Sequence, residues 1–405
     1  MISLSQGMEA EMNTVKGLFT NARKPVSTTK VCVIVPVRNE AKDLAKTLEA
    51  LCNQVDGNGI RLDPKSYEVL VLVNNSTDNS FQIARNYARK FPDFRLCVEN
   101  IFLSEEQAHI GTVRRLLMDE AYNRMLCANN PDGIIASTDG DTIVDSQWIF
   151  HIMAEIADGN DAVGGRILTE KMGGSARLFH LRDVTYRCLL TQAESLIDPQ
   201  IHNPFPCHFQ YFGANMAVTC KMYEQAGRLP KLPFLEDLAF HKALMLQDAR
   251  IRKSFKVKVY TSTRINGRVM IGFSEQLKKW KEEEEANKTQ MVEEVAPLLQ
   301  MFGIRNRLRK CWCDFTKKQF IIQNEIDEMA SILRVNAEWL LDKIITANYF
   351  GSLWDSVNQK INSEIQKDRG LQPIDQAIIE LREFIKKPHT IVFQTNQADT
   401  FSHAG

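Results

Sequence analysis

Val31-Cys32-Val33-Ile34-Val35-Pro36-Val37 runs directly into Arg38-Asn39-Glu40. The first seven residues are apolar without a break and rich in β-branched side chains. A run with no polar face suits a strand covered on both sides, as in a parallel sheet. Proline has no N–H to give a central ladder, so the strand is expected to stop at Pro36, with the polar triplet as the loop beyond it. Residues 41–53 then carry Leu44, Leu48 and Leu51 at helical spacing.

The same unit recurs. Tyr67-Glu68-Val69-Leu70-Val71-Leu72-Val73 is a second apolar run, and it ends in Asn74-Asn75-Ser76-Thr77-Asp78-Asn79-Ser80, a polar turn able to cap a helix over 80–91. A third strand is expected over 94–100 and a helix over 110–129. The next apolar run, Ile134-Ile135-Ala136-Ser137, ends in Thr138-Asp139-Gly140-Asp141. At the end of this strand Gly140 lets the backbone bend and can bring Asp139 and Asp141 towards one point. Two hard carboxylate ligands suit Mg²⁺ or Mn²⁺ carrying a phosphorylated ligand. Asp-Gly is equally the chemistry of an ordinary turn, and the motif alone leaves both readings open.

Alternation of strand, polar loop and helix points to a parallel sheet with right-handed crossovers. Ligands of such sheets bind beyond the carboxyl ends of the strands. The polar clusters at 38–40, 74–79 and 139–141 all fall at such ends and are expected to line one site. Further on, a helix is expected over 146–158, a strand over 162–167 and a helix over 173–196. An aromatic, proline-broken loop follows over 203–212, then Gly213-Ala214-Asn215-Met216. Leu235-Glu236-Asp237-Leu238 opens a helix, where acids also favour the helix dipole for structural reasons alone. A short strand over 256–260 leads to a polar loop reaching Arg264. Beyond about residue 272 the chain is charge-rich and helical, over 275–299, 324–341 and 374–387, and it ends in a polar tail.

The chain has 405 residues, fifty acidic and fifty basic, so no whole-molecule field argues for nucleic acid or an anionic membrane. Residues 1–29 read as a leader without the features of a signal peptide, and no apolar run is long enough to span a bilayer. Nine scattered cysteines, an odd number, read as reduced and mostly buried thiols of a cytoplasmic protein.

In their order and spacing, Val31 to Glu40, Asn74 to Asp78, Thr138 to Asp141, Gly213 to Met216 and Glu236-Asp237 resemble the motifs of family 2 glycosyltransferases. The resemblance covers roughly residues 30–280. It implies a GT-A fold, α/β and Rossmann-like, with a mostly parallel sheet flanked by helices, here over 30–272. It leaves out a helical C-terminal region over 273–394 and a tail over 395–405. It implies an enzyme that moves a sugar, with inversion, from a nucleotide-diphospho-sugar to an acceptor hydroxyl, with Mn²⁺ or Mg²⁺ as cofactor. By this resemblance Asp139 and Asp141 hold the metal, with Asp139 also facing the donor, and Asp237, beside Glu236, takes the place of the catalytic base. Pro36, Arg38, Glu40 and Asn74 fall where the family contacts the nucleoside. Val73-Asn74 replaces the family's usual pair of acids there, which leaves the base of the nucleotide open. Gly213 and Asn215 are placed at the donor site. Arg114 at a helix start, and Arg264, are candidates for its phosphates. His208 or His241 would be a third metal ligand, and Phe205, Phe209, Tyr211 or Trp280 an acceptor platform; core packing accounts for each of these as well.

The acceptor is open among sugars, lipid-linked sugars and small metabolites, as are a peripheral membrane contact and a homo-oligomer. Two other functions stand beside this one. A sugar-nucleotide pyrophosphorylase would want a glycine-rich basic loop after the first strand, which is absent. A nucleotide-binding scaffold would tolerate the loss of acids at 73 and 74 but has no need of Asp139, Asp141 and Asp237.

Overall fold

The computed structural model describes residues 17–169, 176–261, 279–280, 282–283, 286, 288–318, 322–365 and 370–387. Its elements begin with β1 (Val31–Val37), α1 (Leu44–Cys52), β2 (Tyr67–Asn74), α2 (Ser80–Lys90), β3 (Leu96–Ile101) and α3 (Ile110–Cys127). They continue with β4 (Ile134–Ser137), β5 (Thr142–Val144), α4 (Trp148–Ala157), β6 (Ala162–Thr169), α5 (Ala176–Ile197), β7 (Met216–Thr219), α6 (Cys220–Gln225), α7 (Glu236–Leu246) and β8 (Ile251–Thr261). The rest are β9 (Met291–Glu293), α8 (Val295–Lys318), α9 (Gln323–Leu333), α10 (Ala337–Thr346), α11 (Phe350–Ile365), β10 (Leu371–Pro373) and α12 (Ile374–Lys386). They divide into two compact units, one of residues 1–170, 210–240 and 254–263, the other of 171–209, 241–253 and 264–405.

The first unit is built on a sheet of strand order β3-β2-β1-β4-β7-β6-β8-β5. The first four strands pair in parallel. β7 then runs antiparallel to both β4 and β6, and β5 pairs antiparallel with β8. β6 therefore runs with β1 to β4, and parallel direction dominates. β1 and β2 are buried at every position, as runs without a polar face require. Chain order reverses between β1, which leads out to β2, and β4 on its other side, so the cleft beyond their carboxyl ends is the switch point where ligands of such sheets bind.

The strand does not stop at Pro36. β1 continues to Val37, with Pro36 opposite Leu72 of β2. The Ile34 carbonyl accepts from Thr138 N, on the β4 side. Pro36, two residues on, turns its nitrogen the same way, but β4 ends opposite Ile34, at Ser137. No ladder donor is needed there, so proline is tolerated.

One charge lies inside this sheet. Glu68 of β2 is fully buried, and Arg124 of α3 donates to its two oxygens at 2.9 and 2.8 Å. Arg124 also donates to the Arg23 carbonyl at 2.6 Å. This part of the leader is therefore packed against the sheet's helix, and Phe19 in it is 3% exposed. Residues 1–16 lie outside the described residues.

In the second unit, Tyr186 and Ala193 of α5 form a core with Val295 and Leu299 of α8 and with Ile374, Ala377 and Leu381 of α12. Residues 171–209 thus group with the C-terminal helices, where the sequence suggests one break near 272. Helical periodicity shows that a face is apolar without saying which distant helix will cover it. A second core joins α8 to α11 around Leu308, Ile326, Leu340 and Val357. The expected helix over 275–299 is interrupted, because Met291–Glu293 pairs antiparallel with Leu371–Pro373. The one expected over 324–341 is two helices. Arg334 takes a left-handed φ of 54°, and the Asn336 side chain caps α10 by accepting from Trp339 N at 2.9 Å. None of the nine cysteines forms a disulfide, and Cys127 is exposed. No helix among the described residues is long and apolar enough to cross a membrane. The tail over 395–405 lies outside the described residues.

Removing one partner of a buried ion pair strands the other charge. Arg124→Met is expected to cost about 3 kcal/mol in chemical denaturation. Arg124→Met combined with Glu68→Leu should cost less than Arg124→Met alone.

Candidate active site

The loops beyond β1 and β2 are locked together. Asn39, at a left-handed φ of 53°, accepts from Thr77 N at 2.7 Å, and its own N–H donates to the Ser76 hydroxyl at 2.9 Å. Glu40 N donates to Ser80 Oγ at 2.7 Å and Ala41 N to Asp78 at 2.9 Å. Polar side chains in one loop thus answer the backbone groups of the next. Arg38 is exposed and donates to the Ala108 carbonyl at 3.0 Å. Asn74, the last residue of β2, is 4% exposed.

Beyond β4 the turn closes with Thr142 N donating to the Asp139 carbonyl at 3.2 Å. Gly140 sits so close to the end of β1 that a Cβ there would lie 3.0 Å from Val37 and 3.2 Å from the Glu40 side chain. The Gly140 carbonyl accepts from Thr47 of α1 at 3.0 Å. The Asp139–Asp141 turn and the loop of residues 38–40 therefore meet, as their positions at strand ends imply.

Arg114 ties this turn to the start of α7. It lies in the first turns of α3, with 4% of its side chain exposed. One Nη donates to Asp139 at 2.7 Å and the other makes a short contact with Glu236, itself 5% exposed. Gly213 packs against the guanidinium, so that a Cβ would come within 2.4 Å of it. Gly213 N donates to Asp237 Oδ2 at 2.8 Å, and its carbonyl accepts from Ser137 Oγ at 2.7 Å. Asp237 Oδ1 accepts from Leu238 N at 2.8 Å, so backbone N–H groups hold both carboxylate oxygens.

Arg114 was expected to face phosphate; in the structure its guanidinium is engaged by two carboxylates, Asp139 and Glu236. Asn215 is turned into the core: its Oδ1 accepts from Trp148 Nε1 at 2.8 Å, and its Nδ2 donates to the Arg166 and Val257 carbonyls. Arg264 lies outside the described residues. His208 is fully buried, and burial pushes the His241 ring down to about 3. Of the aromatic candidates Phe205 is exposed, while Tyr211 and Trp280 are buried. Sequence reasoning missed Ser137, Thr47 and the pairing of Arg114 with Glu236, 122 residues apart. The capping pattern Asp78-Asn79-Ser80 was the one local signal for the clamp between loops.

Burial pushes the Asp139 carboxyl above the usual carboxylate range, the charges of Asp141 and Asp237 push the same way, and Arg114 pulls it down. Its side chain is still 35% exposed. Among the described residues no three His, Cys, Asp or Glu side chains gather to hold a metal ion. Two carboxylates on one turn nevertheless fit the way Mg²⁺ binds, through one or two protein carboxylates, water and substrate phosphates. The Thr138 hydroxyl, buried beside the motif, has no partner among the described residues.

A carboxyl whose pKa is raised on folding costs stability progressively as pH climbs from its unfolded value to its raised folded value, and the full cost applies above the latter. In metal-free buffer Asp139→Asn should therefore melt above the wild type at neutral pH. The gap should close as pH falls through the carboxylate range, which thermal melts across pH would read.

Residues 32–212 match the family described as Glycosyl transferase family 2. Glycosyltransferase AglE of Haloferax volcanii is 32% identical over 149 residues, 36% of this chain and 42% of that protein. The chain thus spans less than half the length of this curated relative. TarS of S. aureus, residues 1–349, solved with UDP-GlcNAc, overlaps with a TM-score of 0.42 at 15% identity, over 90% of this chain and 94% of that one. The mannosyltransferase PcManGT of Pyrobaculum calidifontis, solved with GDP-Man and Mn²⁺, also overlaps at 0.42, with 14% identity over 90% of each chain. On the family match, residues 32–212, which carry β1 to β6 and the Asp139–Asp141 turn, are a family 2 glycosyltransferase domain.

Proposed function

We propose that this chain is a metal-dependent, inverting glycosyltransferase that takes its sugar from a nucleotide-diphospho-sugar. The observation that carries the reading is the Arg114 bridge. It gathers the Asp139–Asp141 turn and the Glu236-Asp237 helix start on one frame beyond the carboxyl ends of β1 and β4. In this reading Pro36, Arg38, Glu40 and Asn74 border the nucleoside, and Asp139 and Asp141 hold Mn²⁺ or Mg²⁺. A bound cation supplies positive charge for the departing diphosphate.

Asp237 performs the proton transfer. The acceptor oxygen attacks the anomeric carbon, its proton passes to the Asp237 carboxylate, and the sugar–oxygen bond breaks with its electron pair leaving on the diphosphate. Gly213 N and Leu238 N orient the carboxylate while each oxygen keeps a lone pair for that proton. Attack from the face opposite the diphosphate inverts the anomeric carbon. Arg114 acts through Asp139 and Glu236, and Glu236 holds Arg114 in place.

Thermal shift with nucleoside diphosphates and sugar nucleotides, with and without Mn²⁺, tests the donor side, since a ligand that binds only the folded state raises its melting temperature. One nucleotide should shift the protein when metal is present, and Asp141→Ala should abolish the shift. Asp237→Asn should keep the shift while transfer, followed as release of nucleoside diphosphate, falls by about 10²–10⁴-fold. Transfer surviving in Asp237→Asn would refute that role. No shift with any nucleotide would favour the scaffold function.

A further inference from the structure

A recess of about 480 Å³ opens beside β3, the edge strand of the sheet. Arg23 of the leader, Arg85 and Arg89 of α2, and Arg95 just before β3 all line it. Glu99 is the one carboxylate among its lining residues, and Phe94 forms part of its apolar wall. Four guanidinium groups from three segments thus converge in a chain whose acidic and basic residues balance.

Two of them are fixed in place. Arg23 donates to the Pro92 carbonyl at 2.8 Å and Arg95 to the Lys24 carbonyl at 2.6 Å. Those contacts hold the cations without neutralising them. Glu68 stands 3.9 Å from Arg95 but is already engaged by Arg124, and the buried Nε of Arg95 has no partner among the described residues. Arg85 and Arg89, one helical turn apart and exposed, make no hydrogen bond or ion pair with any described residue. Like charges gathered this way repel unless an anion answers them. Planar guanidinium groups match phosphate oxygens in pairs.

We propose that this recess binds a phosphate-bearing molecule, at a site separate from the one beyond the carboxyl ends of the strands. β3 lines the recess with Leu96 to Glu99 and ends two residues later, at Ile101, so the recess flanks the body of the strand. Nothing in the transfer chemistry calls on these four arginines. The ligand is a free phosphate compound or the headgroup of a lipid, and the chemistry of the site is the same for both.

The test uses the full chain in EDTA, with Asp141→Ala as background so that the metal-dependent site is silent. Pyrophosphate at constant low ionic strength, and vesicles of phosphatidylcholine with phosphatidic acid, are the two probes. Pyrophosphate should raise the melting temperature at concentrations at least tenfold below sulfate, or the vesicles should sediment the protein. The first result identifies a soluble ligand and the second a headgroup. Arg85→Glu with Arg89→Glu, both exposed and therefore compatible with folding, should weaken either response at least tenfold while the ligand-free melting temperature stays at or above that of the background. An equal response to sulfate, no response to either probe, or an undiminished response in the double variant would overturn the proposal.

Discussion

The guanidinium of Arg114 sits between Asp139 and Glu236, and the candidate site depends on that placement. Three carboxylates, those of Asp139, Asp141 and Asp237, share one field at the end of β4, and burial, with their repulsion added to it, raises the Asp139 carboxyl. Without a buried cation among them the turn and the start of α7 would be driven apart. Arg114 supplies that cation, and its planar fork can face two carboxylates at once, which a lysine ammonium cannot do in a fixed geometry. Gly213 follows from the same constraint, since any larger residue would collide with the guanidinium.

The sheet supplies the rigidity that this arrangement needs. β1 and β2 are buried along their whole length, so they present backbone ends and not side-chain faces to the site. The loops that follow them are stiffened by Asn39, Asp78 and Ser80, whose side chains answer neighbouring backbone N–H groups. Polar residues that look like generic loop chemistry therefore act as a clamp. The elevated Asp139 carboxyl is the cost of burying an acid beside other acids, and it is the condition in which a bound cation gains most.

The parallel half of the sheet was legible because unbroken apolar runs have only one economical use, and the polar clusters at their ends marked the cleft. Pro36 was misjudged because a single strand does not reveal where its neighbour ends, and β4 happens to stop opposite Ile34. The partners of Arg114 were hidden for a related reason. An arginine near a helix start is a candidate anion ligand until its partner, 122 residues away, is brought to it. The antiparallel ribbon of β9 and β10 left no local trace, being three residues paired with three others far along the chain.

By itself, the sequence determined the order of β1 to β4 and the loops that follow them (though not β5), the pairing of Asp139 with Asp141 on one turn, and the resemblance of that series to a known family. These are local properties, set by side-chain polarity and spacing over a few residues. Only the tertiary structure decided that Arg114 serves Asp139 and Glu236, that Asn215 belongs to the core, that residues 171–209 group with the C-terminal helices, and that four arginines meet beside β3. Each of these joins residues distant in the chain, and which distant groups meet depends on how the whole chain packs.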